Sequence, residues 1–374
     1  MRLLTCFIFI PIPTMTLIVD AHQDLAWNMV TFGRDYSLAA HETRQREVGE
    51  SAPKINGQTL LGWPDYQKGK VAIVFSTLFV APIKAARGQW DVQYYATPDQ
   101  AHQKYLDQVD AYYRLCDEHP EKFRLILNQS DMEIVLKSWE GNASAPLVGL
   151  VILMEGAEGV RSPGELALWQ KKGVRLIGPA WAGTRFCGGT GEPGGLTPEG
   201  YELLDGMADF NITLDISHMD ERAALEALDY YPGSIVASHA NAKALLKNSS
   251  SNRHLTDRVI QGLMERDAII GVVPHNRFLK DGWNFSDSRS EVTLAEHVVA
   301  QIDHICQIAG NAKHVGIGSD FDGGFGLSGV PAEIDTIADL QKLGPILAQK
   351  GYTEEDVKAI LGGNWIAYLK ETLP

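Results

Sequence analysis

Residues 147–155 read Leu-Val-Gly-Leu-Val-Ile-Leu-Met-Glu, an apolar run too short for a spanning helix and closed by a single carboxylate. A run of this length without alternation is what a parallel strand covered on both faces requires. Working outward, seven further runs share the pattern: TLIVD (16–20), KVAIVFSTLFV (70–80), GVRLIGP (173–179), NITLDISH (211–218), SIVASH (234–239), AIIGVVP (268–274) and HVGIGSD (314–320). Helical patterns fall between them at 98–119, 163–172, 197–210, 219–230, 240–247, 256–266 and 293–310, several opening on Ser, Thr or Asp caps. Eight strands alternating with helices predict an α/β fold, a (β/α)8 TIM barrel of the metal-dependent hydrolase type, with a doubly wound sheet as the other solution. The chain is read as one barrel domain over 1–374, with 1–15 an irregular N-terminal extension. Two interruptions, 25–69 and the glycine-rich GTRFCGGTGEPGG (183–195), are read as loops at the catalytic face.

Composition narrows the chemistry. The 374 residues are 45% hydrophobic, enough for a large core, and carry a formal charge of -14. No dense Lys/Arg run is present, so nucleic acid and acidic membranes are excluded as partners and a small-molecule substrate is favoured. Cys6, Cys116, Cys187 and Cys306 lie far apart with no CxxC pair, which argues against a disulfide framework or a thiolate zinc site. No stretch reaches the roughly 20 apolar residues of a membrane anchor. The opening MRLLTCFIFIPIPTM imitates a signal peptide, but Pro11 and Pro13 break its apolar run and no A-x-A site follows. A cytoplasmic location is therefore expected.

The strand ends carry the chemistry. Strand one finishes in Asp20-Ala-His22-Gln-Asp24, strand three in Glu155, strand five in His218 and strand six in His239. In a barrel the C-terminal ends of parallel strands meet at one mouth, so ligands distant in sequence become neighbours. The two-residue step of His22 and Asp24 aims both side chains the same way. Three imidazoles with carboxylates suit zinc better than an oxygen-seeking cation, and five ligands exceed the three of a mononuclear catalytic zinc. The expectation is two Zn2+ ions, other divalent metals being the alternative, bridged by Glu155. Glu158 is a rival ligand. Asp320, ending strand eight in GIGSDFDGG, is placed as the general acid/base, and His275 after strand seven either lines the pocket or is structural. Alone, His-x-Asp is a weak motif, His218 and His239 read as core histidines, and Asp320 reads as a turn cap. Their joint position at strand ends decides for a metal site. The remaining histidines, His41, His102, His119, His254, His297, His304 and His314, are read as solvated or locally hydrogen-bonded.

DAHQD, MEGAEG, LDISHMD, ASHANAKAL, GIGSDFDGG and GGNW (362–365), in that order over nearly the whole chain, resemble the motifs of the renal (membrane) dipeptidase family of amidohydrolase-like barrels. The resemblance implies a zinc-dependent dipeptidase, with His22 and Asp24 on one zinc, His218 and His239 on the other, and Glu155 shared. It further implies that Arg253 receives the substrate carboxylate through its planar fork, against an ordinary surface arginine, and that the chain forms a homodimer. This chain departs from the family where GVRLIGPAW offers Trp181 in place of a histidine that helps hold the substrate oxyanion. An indole has one N–H donor and no charge, so a nonstandard amide, ester or lactone substrate stands beside the dipeptide, and a noncatalytic metal- or ligand-binding barrel beside both. Arg253-His254 in place of Arg-Asn and VVPHNRFL after strand seven are further departures.

Overall fold

The computed structural model describes residues 16–88, 90–141 and 145–374, so the expected extension at 1–15, with Cys6, lies outside it. All eight expected strands form, numbered here β1 (Ile18–Gln23), β2 (Val71–Phe79), β3 (Val148–Glu155), β4 (Val174–Gly178), β5 (Thr213–Asp215), β6 (Ile235–Val236), β7 (Ile270–Val272) and β8 (Val315–Ile317). They lie side by side in the order β6-β5-β4-β3-β2-β1-β8-β7, all parallel. Closure comes at Ala237, whose N–H donates to Ile269 O at 3.0 Å and whose carbonyl accepts from Gly271 N at 2.8 Å. The result is a nearly closed (β/α)8 barrel.

The period-two geometry of a strand divides its apolar residues between two cores. Val19 and Ala21, Ile73 and Phe75, and Val151 and Leu153 form a buried cluster with Leu176, Val236 and Trp365. Ile18, Val74, Leu150 and Ile152 belong instead to the larger cluster shared with the helices. The helix Asn364–Thr372 carries Trp365, which packs edge-on to Phe75 at 5.2 Å and donates to Ile317 O at 3.1 Å. Asn364 Nδ2 donates to Ala312 O and Val315 O, at the start of β8. The GGNW motif is thus a packing device at the base of β8, with a Cβ on Gly362 falling 2.6 Å from Leu17 O.

Three expectations about the connections are corrected. Segment 25–69 holds helices Leu25–Phe32, Ala40–Arg46, Ala52–Ile55 and Trp63–Gly69. Segment 183–195 contains an antiparallel hairpin, Cys187–Gly189 with Glu192–Leu196, whose glycines permit strand backbones to approach without side chains between them. The helix expected at 240–247 is reduced to one 3-10 turn, Lys243–Leu245, because Asn241 turns its amide to Val273 and Phe278 instead. Among the described residues no helix is long and apolar enough to cross a membrane. Cys116, Cys187 and Cys306 are free thiols.

Candidate metal centre

Beyond five of the strands the chain makes the same step. Trp181, His218, His239, His275 and Asp320 each stand three residues past the last residue of β4, β5, β6, β7 and β8, respectively. Glu155 is the last residue of β3, and His22 and Asp24 close β1. Topology alone therefore delivers these side chains to the barrel mouth. His218 (φ 67°) and Asp320 (φ 58°) take left-handed backbone, as does Asp322 (φ 63°), a conformation that non-glycine residues keep where surrounding contacts enforce it.

Glu155 lies between two sets of nitrogens and carboxylates. Its Oε1 is 3.2 Å from His218 Nε2 and 3.4 Å from His239 Nε2, while its Oε2 is 3.7 Å from His22 Nε2. His22 Nε2 is also 3.7 Å from Asp24 Oδ2 and 3.8 Å from Asp320 Oδ1. Two triads able to hold a cation share this one carboxylate, His22/Asp24/Glu155 and Glu155/His218/His239, and a third joins His22, His239 and Asp320. Glu155 Oε1 and Asp24 Oδ1 are buried with no hydrogen-bond partner among the described residues, an arrangement that is costly unless a cation supplies the missing contact. The donor set of imidazole and carboxylate suits a borderline divalent ion. The residues present therefore fit a metal centre. Glu158 does not join it, because its Oε1 accepts from Arg185 N at 2.9 Å.

The electrostatics without cations tell the same story. Burial works against a charge on His22, but the carboxylates of Glu155, Asp24 and Asp320 outweigh it and hold the imidazole up at about 10. Burial, with Asp24 beside it, raises Asp320 to about 7 against the pull of His22 and Arg253. Burial drives Glu155 well above its ordinary range and His218 and His239 well below theirs, Arg253 and His22 adding to the fall of both imidazoles. A dication changes the sign of this logic, stabilising ionised carboxylates and neutral imidazoles together.

Two hydroxyls contact the outer nitrogens of His239 and His218, and sequence reasoning missed both. Ser238 Oγ lies 2.8 Å from His239 Nδ1 and donates to Asp215 Oδ2 at 2.5 Å, giving a carboxylate–hydroxyl–imidazole chain. Thr190 Oγ1, in the turn of the hairpin, lies 3.0 Å from His218 Nδ1. Such partners fix ring orientation in metal sites. Their only sequence signal is adjacency, since Ser238 precedes His239 directly; Thr190 has none. Asp20, the first residue of DAHQD, sits outside the cluster and accepts from Ser319 N, Ser319 Oγ and Gln23 Nε2, tying β1 to the end of β8.

A cavity of about 310 Å3 opens over the cluster, a size that suits a small ligand. Asp24, Glu155, His218 and Asp320 form part of its lining, and Trp181 and His275 stand in its wall. Trp181 packs against Phe79 (5.1 Å) and His218 (6.2 Å). His275 packs against Phe325 at 3.9 Å. Arg253 is only 3% exposed, so it is no surface arginine. Its Nη2 donates to His239 O at 2.8 Å, and its Nε has no partner among the described residues. His254 is corrected from solvated or locally bonded to buried, with its Nδ1 lacking a partner among the described residues and burial and Arg253 lowering it to about 3. His102 does bond locally, to Gly159 O at 2.9 Å.

The chain is similar to several known proteins. A protein of the pqqA 5′ region of Klebsiella pneumoniae is 32% identical over 260 residues, covering 67% of this chain and 89% of that protein. The dipeptidase tcpJ of Claviceps purpurea is 26% identical over 316 residues, covering 81% of this chain and 67% of its own. A metallopeptidase of Rhodobacter sphaeroides, solved with a phosphinate mimic of the dipeptide L-Ala-D-Ala, superposes with a TM-score of 0.74 at 23% identity, covering 96% of this chain and all of that one. The dipeptidase AC structure superposes equally well, also at 23% identity. The family model for membrane dipeptidases, peptidase family M19, matches residues 10–373, and the chain belongs to that family.

Proposed function

We propose that this hydrolase is a binuclear zinc dipeptidase that cleaves dipeptides or closely related small amides. The observation that carries the reading is Glu155, whose two oxygens face two separate ligand sets. His22 and Asp24 would hold one ion, His218 and His239 the other, with Glu155 between them. Bound there, the ions supply Lewis acidity to the amide carbonyl and a nucleophilic water at neutral pH.

The chain's own residues do the rest. Asp320, held over the cluster by its left-handed backbone, accepts the proton of the attacking water and returns it to the leaving amine nitrogen. Arg253, braced by its bond to His239 O, keeps guanidinium donors for the carboxylate of the substrate's C-terminal residue. Trp181 and Phe79 close one wall and exclude water, and a dry site strengthens each of these interactions. The indole cannot stabilise an oxyanion as a charged imidazole can, so the burden on the metal centre is larger here. The free thiols of Cys116, Cys187 and Cys306 support a reducing, cytoplasmic setting.

The deciding experiment measures metal content of the purified chain and its hydrolysis of dipeptides with and without chelator. About two zinc ions per chain with chelator-sensitive cleavage is the expected result. Two ions with turnover only of N-acyl amino acids or lactones would move the substrate class and point to Trp181, whereas a folded, metal-free chain would overturn the centre.

A further inference from the structure

Arg253 is not alone among the cations of the cavity. Arg87 and Arg277 line it as well, in a chain of net charge -14. Seven arginines pair with carboxylates among the described residues, including Arg34 with Glu47 and Asp322, Arg44 with Asp335, Arg161 with Asp99 and Glu165, and Arg185 with Glu158 and Glu199. The guanidinium of Arg87 has no ion pair or hydrogen bond among the described residues. Its neighbourhood holds the backbone in place without engaging that group. The buried carboxylate of Asp91 accepts from the backbone N–H of Arg87 at 3.3 Å and from Gln93 N at 3.2 Å, and Lys84 nearby pairs with Glu192.

The position of Arg87 is set by the turn after Asp320. A Cβ on Gly323 would fall 2.1 Å from Asp320 Oδ1 and 2.7 Å from Asp24 Oδ2, so this glycine touches both carboxylates. A Cβ on the next residue, Gly324, would fall 4.0 Å from both terminal nitrogens of Arg87. Arg87 therefore stands one residue's step from the Asp24 and Asp320 side of the cluster. Arg253 lines the same cavity and is bonded to the backbone of His239. With the terminal carboxylate of a dipeptide on Arg253, the unpaired guanidinium of Arg87 remains in the same cavity wall for another part of the substrate.

We infer that Arg87 is a specificity residue that selects an anionic side chain on the amino-terminal residue of the substrate, so that the preferred dipeptides carry an acidic group on each side of the scissile amide. The inference rests on the proposed dipeptidase reading, with Arg253 taking the C-terminal carboxylate. A guanidinium without a protein partner forms a charge-assisted pair with a carboxylate at little cost to the free enzyme, and its place at the mouth adds attraction for anions during encounter. Because Arg87 is exposed, solvent screening keeps the effect moderate.

The test uses the zinc-loaded full chain and compares kcat/KM for Glu-Ala, Gln-Ala and Lys-Ala. Wild type is expected to favour Glu-Ala over the isosteric Gln-Ala by about five- to tenfold. R87Q should bring that ratio close to one, and R87E should invert it and raise Lys-Ala relative to Gln-Ala. R277Q, on the side of Phe278 and Arg253, should keep the wild-type ratio. A wild-type ratio of one or less, or a ratio that survives R87Q, overturns the assignment. So does a ratio that R277Q lowers as much as R87Q, because the preference would then belong to the field of the whole rim. Absence of cleavage for all three dipeptides is a distinguishable failure, since it removes the dipeptidase reading beneath the inference.

Discussion

His218 Nε2 and His239 Nε2 face one another at 3.1 Å, with Glu155 Oε1 3.2 and 3.4 Å away from them. Two buried imidazole nitrogens and a carboxylate oxygen this close, the oxygen lacking any hydrogen bond, form a ligand set more naturally than a hydrogen-bonded core. Because Glu155 also reaches His22, its amide variant weakens both halves of the centre at once. Glu155→Gln should lower metal content from about two ions per chain to one or none and lower kcat/KM by more than about a hundredfold. Metal analysis of the purified variant checks this, and retention of both ions would deny Glu155 the bridging place.

Asp320 tests a different role. It is not a member of either triad that shares Glu155, so Asp320→Asn should keep the metal content of wild type. Its loss should appear in kcat, by about a hundred- to ten-thousandfold, the range of a general acid/base. An unchanged kcat would remove Asp320 from proton transfer, and a loss of metal would make it a ligand.

The hydroxyl of Ser238 joins Asp215 to the Nδ1 side of His239. Removing it frees the ring to rotate and leaves the Asp215 carboxylate short of one donor. Ser238→Ala should weaken zinc binding by about ten- to a hundredfold while the chain stays folded. Competition with a metal chelator, read alongside circular dichroism, separates loss of affinity from loss of fold.

These contacts mark where the sequence is legible and where it is not. Strands such as Val148–Glu155 are readable because burial on both faces writes an unbroken apolar run, and the ligands are readable because chemistry-bearing residues close those runs. The His218, His239 and Asp320 positions inherit their placement from the strand alone. The four helices of 25–69 are not readable in the same way. They are short, and the connections between them are tied to Asp322, some 260 or more residues later in the chain, so no local period announces them. Thr190 and Ser238 are ordinary small residues until the fold sets them beside an imidazole. Arg253 sits in a polar stretch, SSSNR, whose composition suggests solvent, and only tertiary packing buries it.

The metal-free chain should respond to alkali in a way the zinc-loaded chain does not. The carboxylates around His22 overcome its burial and raise it to about 10 in the folded state, against an ordinary value near 6.5 when unfolded. A raised folded value means that the native state holds the proton more tightly, so this stabilisation is complete below about pH 6.5 and is lost as pH rises toward 10. As a ligand of the proposed zinc, His22 would be neutral and this loss would disappear. Thermal denaturation at pH 7 and pH 9, with chelator and with zinc, should show a larger fall in midpoint for the chelated protein. Equal falls would deny His22 its protonated place among the three carboxylates.

Asp322 holds the 25–69 insertion against the mouth of the barrel. Its buried carboxylate accepts from Arg34 Nη1 (3.0 Å), Tyr36 Oη (2.9 Å), Thr59 Oγ1 (2.5 Å) and Leu60 N (3.1 Å), and its carbonyl accepts from Asn28 and Asn56. Arg34 keeps its pair with Glu47, so removing the Asp322 carboxylate takes one of two anions from this buried guanidinium and leaves three neutral donors without their acceptor. Asp322→Ala should cost about 3 to 5 kcal/mol of stability, because three buried donors lose their acceptor at about 1 to 3 kcal/mol each. Asp322→Asn keeps the shape and part of the hydrogen bonding and should cost less. Arg34 and Tyr36, held by this carboxylate, follow directly on the helix Leu25–Phe32, whose Trp27 lines the cavity. Destabilisation in Asp322→Ala should therefore come with a raised KM in the molecules that remain folded, while metal content stays that of wild type. A variant that loses metal before it loses substrate affinity would show that Asp322 supports the ligand strands directly and not the wall of the pocket.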